Sequence, residues 1–225
     1  MSKYRHERKF FITESDAFIL QQRIKHVLRP DSFSQLGSYH ISSLYFDDQY
    51  YSSFNEKLSG ILVRDKFRAR FYNSKLDTIF LERKHKHDNG IYKTRAAITE
   101  SQYKQMQNGD YSFMQGEMGN KVFEDFYLSH VTKQMRPVAM VSYDRKAFMY
   151  EPGNVRVTFD TNITASDPTL HSTYFVLQEN HVILEVKYDH FLPQVVTDML
   201  RGISPTQQLA ISKYLLAMSL LLRSC

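Results

Sequence analysis

The chain has 225 residues, 42% hydrophobic and 24% charged, which suits one globular domain with a substantial core. Its 29 basic residues against 24 acidic ones leave a net charge of +5, a balance that invites polyanions without naming one. The only cysteine, Cys225, excludes a disulfide framework or a cysteine zinc site, and the stretch "MSKYRHERKFF" is charged where the apolar region of a signal peptide is expected.

The longest apolar run near either end, "YLLAMSLLL" (Tyr214 to Leu222), falls well short of a bilayer span. With no repeat, low-complexity tract or linker, residues 1–225 read as a single cytoplasmic unit with no membrane segment. "HERKFFI" (His6 to Ile12) predicts a first strand. "TESD" (Thr13 to Asp16) reads as a capping box, and Ala17, Leu20, Ile24 and Leu28 carry a helical stripe to Pro30. "YHISSLYFD" (Tyr39 to Asp47) is strand-like, and "DQYYSSFNEKL" (Asp48 to Leu58) suits a short helix with Asp48 as its N-cap.

"RDKFRARFY" (Arg64 to Tyr72) alternates strictly apart from Asp65, with Arg64, Lys66, Arg68 and Arg70 on one side and Phe67, Ala69 and Phe71 on the other. "TIFLERKHK" (Thr78 to Lys86) and "IYKTRAAIT" (Ile91 to Thr99) flank the hairpin signal "HDNG". Helical sequence runs to about Met135 and includes Val122, Phe123, Phe126, His130 and Val131. Three further strands follow: Pro137 to Tyr150, Val155 to Thr161 and Val182 to Asp189. "SPTQ" (Ser204 to Gln207) then opens a terminal helix. About eight strands with interspersed helices make this α+β, dominated by an antiparallel sheet.

Seven strands carry one charged face each. On those faces stand thirteen basic residues (Arg5, Lys9, Arg64, Lys66, Arg68, Arg70, Lys84, Lys86, Lys93, Arg95, Arg145, Arg156, Lys187) but five acidic ones (Glu7, Glu82, Asp160, Glu185, Asp189). An ordinary solvent-facing sheet has one wet face too, but it usually mixes its signs, and like charges on neighbouring strands oppose pairing. Closed into a barrel, the strands would turn the charged face inward around a lumen. At an effective dielectric near 20, charges 4 Å apart interact by about 4 kcal/mol, so such a lumen demands a multiply charged anion. A phosphate chain meets the demand, gripped by Arg forks and Lys point charges.

The ordered set "ERKF", "SLYFDD", "RARFY", "LERKHK", "YKTR", "YDRKAF", "VRVTFDT", "LEVKY" and "SKY" resembles the catalytic domain of the vacuolar transporter chaperone (VTC) family over essentially the whole chain. That family's polyphosphate polymerases lie within the triphosphate tunnel metalloenzyme superfamily. The resemblance implies an eight-stranded antiparallel barrel forming a tunnel, with surrounding helices and a C-terminal helix at its mouth. It implies an ATP-polyphosphate phosphotransferase dependent on Mn²⁺ or Mg²⁺.

Residue by residue, it assigns phosphate-gripping roles to Lys9, Arg68, Arg70, Lys84, Lys93, Arg145 and Arg156, with Lys187 as a further phosphate contact. Arg95 and Lys57 are additional basic candidates, Ser212 and Lys213 belong to the plugging helix, and Glu185 is the metal ligand. Three departures stand out: Arg5 replaces a glutamate of the wider superfamily, Ala210 replaces a lysine of the terminal helix, and the sensing domain and membrane helices of eukaryotic relatives are missing. ATP and inorganic polyphosphate are the expected partners, and nucleic acid is not. A binding module without turnover and a triphosphatase are the alternatives. The histidines of "HKH" (His85 to His87) lack an evident third metal ligand, and Tyr50, Tyr51 and Phe54 suit helix packing better than base stacking.

Overall fold

Period-two alternation sends apolar and charged side chains to opposite faces, and helices cover the apolar one. This is seen in a computed structural model that describes residues 5–34, 37–87, 90–117, 119–177, 180–202 and 212–223. The strands are β1 (His6–Thr13), β2 (Arg29–Pro30), β3 (Tyr39–Asp47), β4 (Arg64–Tyr72), β5 (Lys75–His87), β6 (Gly90–Ile98), β7 (Arg136–Tyr150), β8 (Val155–Ser166), β9 (Thr173–Phe175) and β10 (His181–Tyr188). The helices are α1 (Glu14–Ile24), α2 (Ser52–Leu58), α3 (Glu100–Gln107), α4 (Lys121–Lys133), α5 (Gln194–Leu200) and α6 (Lys213–Leu221).

Hydrogen-bonded neighbours follow the order β1-β10-β8-β7-β3-β4-β5-β6, with β2 on β7 and β9 on β8. The α+β antiparallel class holds. The order ends at β1 and β6 with no ladder between them among the described residues, so the pairing does not close the expected eight-stranded barrel there. Lys93 and Arg95 stand exposed on β6, and such charges suit an unpaired edge. Among the described residues no helix is long and apolar enough to cross a membrane.

Two compact units emerge, each from separate stretches of chain. The first comprises Met1–His40, Tyr143–Ile163 and Leu177–Ser212; the second comprises Ile41–Ser142, Thr164–Val176 and Lys213–Cys225. In the first, Ile12, Val157, Phe159, Leu184 and Val186 form an apolar sheet face, packed under Ala17, Leu20 and Ile24 of α1 and Val196 of α5. The α1 helix starts where the Thr13 hydroxyl accepts from the Asp16 amide at 3.0 Å. It ends at Ile24, short of the predicted Pro30, though Leu28 still reaches the core. Between β7 and β8, Gly153 holds φ +72°, and a Cβ there would sit 2.7 Å from the Phe191 carbonyl, so only glycine fits this turn.

In the second unit the apolar face is Leu44, Phe46, Phe67, Ala69, Phe71, Ile79, Leu81, Ala96 and Ile98. It packs against Tyr103 and Met106 of α3 and Val122, Phe123 and Phe126 of α4. The Phe126 ring meets Phe46 and Phe67 edge-on at 5.1 and 5.2 Å, the geometry aromatic quadrupoles prefer. Burial of each such ring contributes about 1.5–3 kcal/mol. The α3 helix begins with a full capping box between Thr99 and Gln102, hidden in sequence within the end of a strand-like run. The predicted cap at Ser204–Gln207, the position Ala210, the two central residues of "HDNG" and Cys225 lie outside the described residues.

Candidate functional site

Antiparallel register sets which charges meet. In the first unit, Glu7, Lys187 and Arg156 lie across three neighbouring strands, and Lys9, Glu185 and Thr158 form the next row. The Lys9 ammonium lies 2.5 Å from Glu7 Oε1 and 3.2 Å from Glu185 Oε2, while Lys187 Nζ lies 2.5 Å from Glu185 Oε1. Burial pulls the Lys9 pKa down, but the charges of Glu185 and Glu7 outweigh it and leave it raised.

Arg145 is held bidentately by Asp160, Nε to Oδ1 at 2.6 Å and Nη2 to Oδ2 at 2.7 Å. Its guanidinium lies over the Tyr143 ring at 5.3 Å. Burial opposes its charge, yet Asp160 and, more weakly, Glu185 hold its pKa above the ordinary arginine value. Arg156 Nη2 donates to Asp31 Oδ2 at 2.7 Å and to the Tyr39 hydroxyl at 3.0 Å, while its Nε is buried with no hydrogen-bond partner. Burial pushes the Tyr39 phenol up to about 12 against the pull of Arg145 and Arg156.

In the second unit the charged face spans β4, β5 and β6. Arg68 pairs across the sheet with Glu82, and Lys66 with Lys84, which in turn opposes Lys93. Glu82, only 2% exposed, accepts from Arg68 Nε at 2.7 Å and is paired with Lys93. Burial raises its pKa, but Arg68, Arg70 and Lys93 together bring it down to about 2. Although its side chain is 45% exposed, the Lys93 ammonium turns in beside Glu82, where desolvation and the neighbouring Arg68 and Arg70 outweigh Glu82 and lower its pKa to about 8.

Arg70 is buried and donates from Nε to the Ser43 hydroxyl at 3.0 Å; Arg68 also reaches the Tyr45 hydroxyl at 3.3 Å. Arg95, exposed, lies over the Phe80 ring at 4.7 Å. Lys84 is half-buried on β5, and Lys57 is half-buried on α2. Ser212 and Lys213, both half-buried, stand at the start of α6.

Each unit therefore gathers its own predicted residues: Lys9, Arg145, Arg156, Glu185 and Lys187 in the first, and Arg68, Arg70, Lys84, Lys93 and Arg95 in the second.

Several partners carry no signal in the sequence pattern. Asp31, which holds Arg156, lies in a turn after Pro30, where no alternation marks it. Asp47 emerges as the anchor of α2: its carboxylate accepts from the Ser53 and Phe54 amides at 2.9 and 3.1 Å and from the Tyr214 hydroxyl at 2.5 Å. The N-cap residue itself is Tyr51, not Asp48, although Asp48 accepts from the Ser52 amide at 3.0 Å. Asp65, the break in the "RDKFRARFY" alternation, faces the other way and binds Arg83 and His85. His85 and His87 stand with ring centroids 6.2 Å apart, and no group of three or more metal-binding side chains forms among the described residues.

The VTC domain family model matches residues 4–222. Among solved structures, similarity extends to a candidate adenylate cyclase from Bacillus halodurans, with TM-score 0.54 and 13% identity, covering 91% of this chain and 94% of that one. A candidate adenylyl cyclase from Hippeastrum, whose dominant activity is that of a triphosphatase, aligns with TM-score 0.57 and 10% identity over 95% of this chain and 96% of its own. The PH1819 protein of Pyrococcus horikoshii aligns with TM-score 0.51 and 12% identity over 99% and 100%. At these identities the likeness concerns the fold. No curated protein matches.

Proposed function

The chain belongs to the VTC domain family, and from that premise we propose that it is a polyphosphate polymerase transferring the terminal phosphoryl group of ATP onto a polyphosphate chain. One observation carries the reading. On the charged face of β4, β5 and β6 a single carboxylate, Glu82, stands among four cations on β4 (Arg64, Lys66, Arg68, Arg70), two on β5 (Lys84, Lys86) and two on β6 (Lys93, Arg95). Such an excess is costly unless a polyanion relieves it.

In the reaction an oxygen of the chain's terminal phosphate attacks the γ-phosphorus of ATP. The bond from that phosphorus to the β,γ-bridging oxygen breaks, and ADP leaves with the electron pair. No protein nucleophile is needed: the residues position phosphates and neutralise charge spread over the transferring oxygens. Arg68 and Arg70 offer guanidinium forks, and Lys84, Lys93 and Arg95 add charge beside them. Lys9, Arg145, Arg156 and Lys187 bind phosphate in the first unit, with Lys57, Ser212 and Lys213 as further contacts.

Glu185, with Glu7 reached across the shared Lys9 ammonium, fits a hard divalent cation that brings phosphate oxygens as most of its ligands. Mn²⁺ or Mg²⁺ held there would supply Lewis-acid stabilisation of the phosphate oxygens. Lys9 and Lys187 would exchange their grip on Glu185 for phosphate. The reading places this chemistry in the cytoplasm, with ATP and inorganic polyphosphate as partners.

Hydrolysis is the second reading, suggested by the triphosphatase activity of the Hippeastrum neighbour. Incubation of the purified protein with ATP and Mn²⁺, followed by gels stained for polyphosphate, decides between the readings. A growing ladder supports polymerisation, and free phosphate without a ladder replaces it with hydrolysis. Unchanged ATP alongside measurable binding reduces the protein to a binding module.

A further inference from the structure

One buried cation in the second unit has no counter-charge of its own. The Lys66 Nζ is inaccessible to solvent and makes no hydrogen bond. It lies 4.6 Å from the centroid of the Tyr214 ring, an arrangement that compensates an ammonium only in part. Charged and titratable groups face it from each neighbouring element: Asp47 from β3, Lys57 from α2, Arg64 from its own strand, Lys84 from β5 and the Tyr214 phenol from α6. Three of these are cations.

The one carboxylate, Asp47, is already saturated. It accepts from the amides of Asp48, Ser53 and Phe54 at 3.0, 2.9 and 3.1 Å and from the Tyr214 hydroxyl at 2.5 Å. A buried lysine nitrogen with no hydrogen bond, able to offer three donors once protonated and set among cations on the face that also bears Arg68 and Arg70, is built for an anion that arrives from outside.

We infer that Lys66 is a proton-linked phosphate-binding residue: it takes up a proton as a phosphoryl group of the substrate enters among Lys57, Arg64 and Lys84, coupling substrate binding to pH. This rests on the polyphosphate reading above and adds a regulatory property to the same site. Burial and the charges of Arg64 and Lys57 bring the Lys66 pKa down to about 7. The amine is therefore largely neutral above that pH while the site holds no anion. A phosphate oxygen at hydrogen-bond distance favours the ammonium and raises the pKa, so binding draws in a proton. Affinity is then level below about pH 7 and falls as pH rises, because the ammonium must first be formed.

The test is calorimetric titration of the metal-free protein with inorganic tripolyphosphate from about pH 6.5 to 9, in two buffers of different ionisation heat. Lys66→Arg keeps a permanent charge, so comparing it with the wild type cancels protonation of the ligand itself. The wild type should take up close to one proton more than K66R near pH 8, and its affinity relative to K66R should fall by up to about tenfold per pH unit above pH 7. Lys66→Met should bind at least about tenfold more weakly near pH 6.5, with proton uptake matching that of K66R. Equal proton uptake and parallel pH slopes for wild type and K66R would overturn the inference while leaving the polyphosphate reading in place. Failure of the wild type to bind tripolyphosphate at any pH would remove both.

Discussion

Arg145 and Asp160 form a two-pronged pair at 2.6 and 2.7 Å, with Asp160 fully buried and Arg145 only 8% exposed. This geometry engages two guanidinium nitrogens before any ligand arrives, so Asp160 aims the remaining edge of Arg145. Removing one partner of such a pair strands a buried charge, at a cost of about 3–5 kcal/mol. Asp160→Ala should therefore lose stability on that scale in urea denaturation. A loss below about 1 kcal/mol would mean that the pair is solvated and that Arg145 is able to turn.

Glu82 gives stability an acid limb. Its pKa is depressed from the ordinary glutamate value near 4.3 to about 2, so its contribution is complete above about pH 4.5 and is lost as pH falls toward 2. The lowering corresponds to about 3 kcal/mol at most. Glu82→Gln should flatten the fall in unfolding free energy across that window, measured by denaturant titrations at successive pH values. The same steepness in both proteins would assign the acid limb to other carboxylates.

Tyr214 joins α6 to the start of α2 through Asp47, whose carboxylate also accepts from α2 amides. Burial and the adjacent Asp47 raise the phenol's pKa, so it stays a donor throughout the working pH range. Hydrogen bonds to a charged acceptor contribute about 1.5–3 kcal/mol. Tyr214→Phe should lose that much stability and increase amide hydrogen exchange in α6. Unchanged exchange there would show that α6 is held by packing alone.

The charged and apolar faces were legible because a strand has period two and each face has one fate. "RDKFRARFY" divides as its alternation dictates: Phe67, Ala69 and Phe71 enter the core while Lys66, Arg68 and Arg70 share the charged face. Alternation says nothing of residues outside strands. Asp31 lies in a loop, Tyr214 on a helix and Asp47 at the last position of its strand, and their partners are 125 residues away in one case and 167 in another. The short strands Arg29–Pro30 and Thr173–Phe175 are set by pairing with β7 and β8 rather than by a pattern of their own. Alternation likewise gives a face for each strand but no information on whether the two end strands meet.

Arg68 and Arg70 share a face but differ in what they hold. Arg68 donates to the Glu82 carboxylate, whereas Arg70 Nε donates to the Ser43 hydroxyl. Either alanine variant takes one positive charge from the β4 face. Arg68→Ala and Arg70→Ala should each weaken tripolyphosphate binding by about tenfold or more for every charge-assisted hydrogen bond removed. The same calorimetric titration measures this. Both should in addition shrink the acid limb of stability, because Arg68 and Arg70 each help depress the Glu82 pKa, and Arg68→Ala should do so more because it also removes the hydrogen bond to Glu82. Wild-type affinity in both variants would remove the β4 face from the binding site.

Glu185 separates metal chemistry from simple anion binding. Its carboxylate bridges Lys9 and Lys187, so in the metal-free protein it lowers the positive potential offered to phosphate. Glu185→Gln removes that charge but preserves shape, and it leaves Lys9 paired with Glu7. Metal-free tripolyphosphate binding should therefore hold steady or tighten. Metal-dependent turnover should fall by roughly two to three orders of magnitude, as expected when a centre stabilising transition-state charge is removed. Opposite movements of affinity and rate in one variant distinguish a metal-holding carboxylate from a structural one, whose loss would depress both together. Wild-type turnover in E185Q would take the metal away from Glu185.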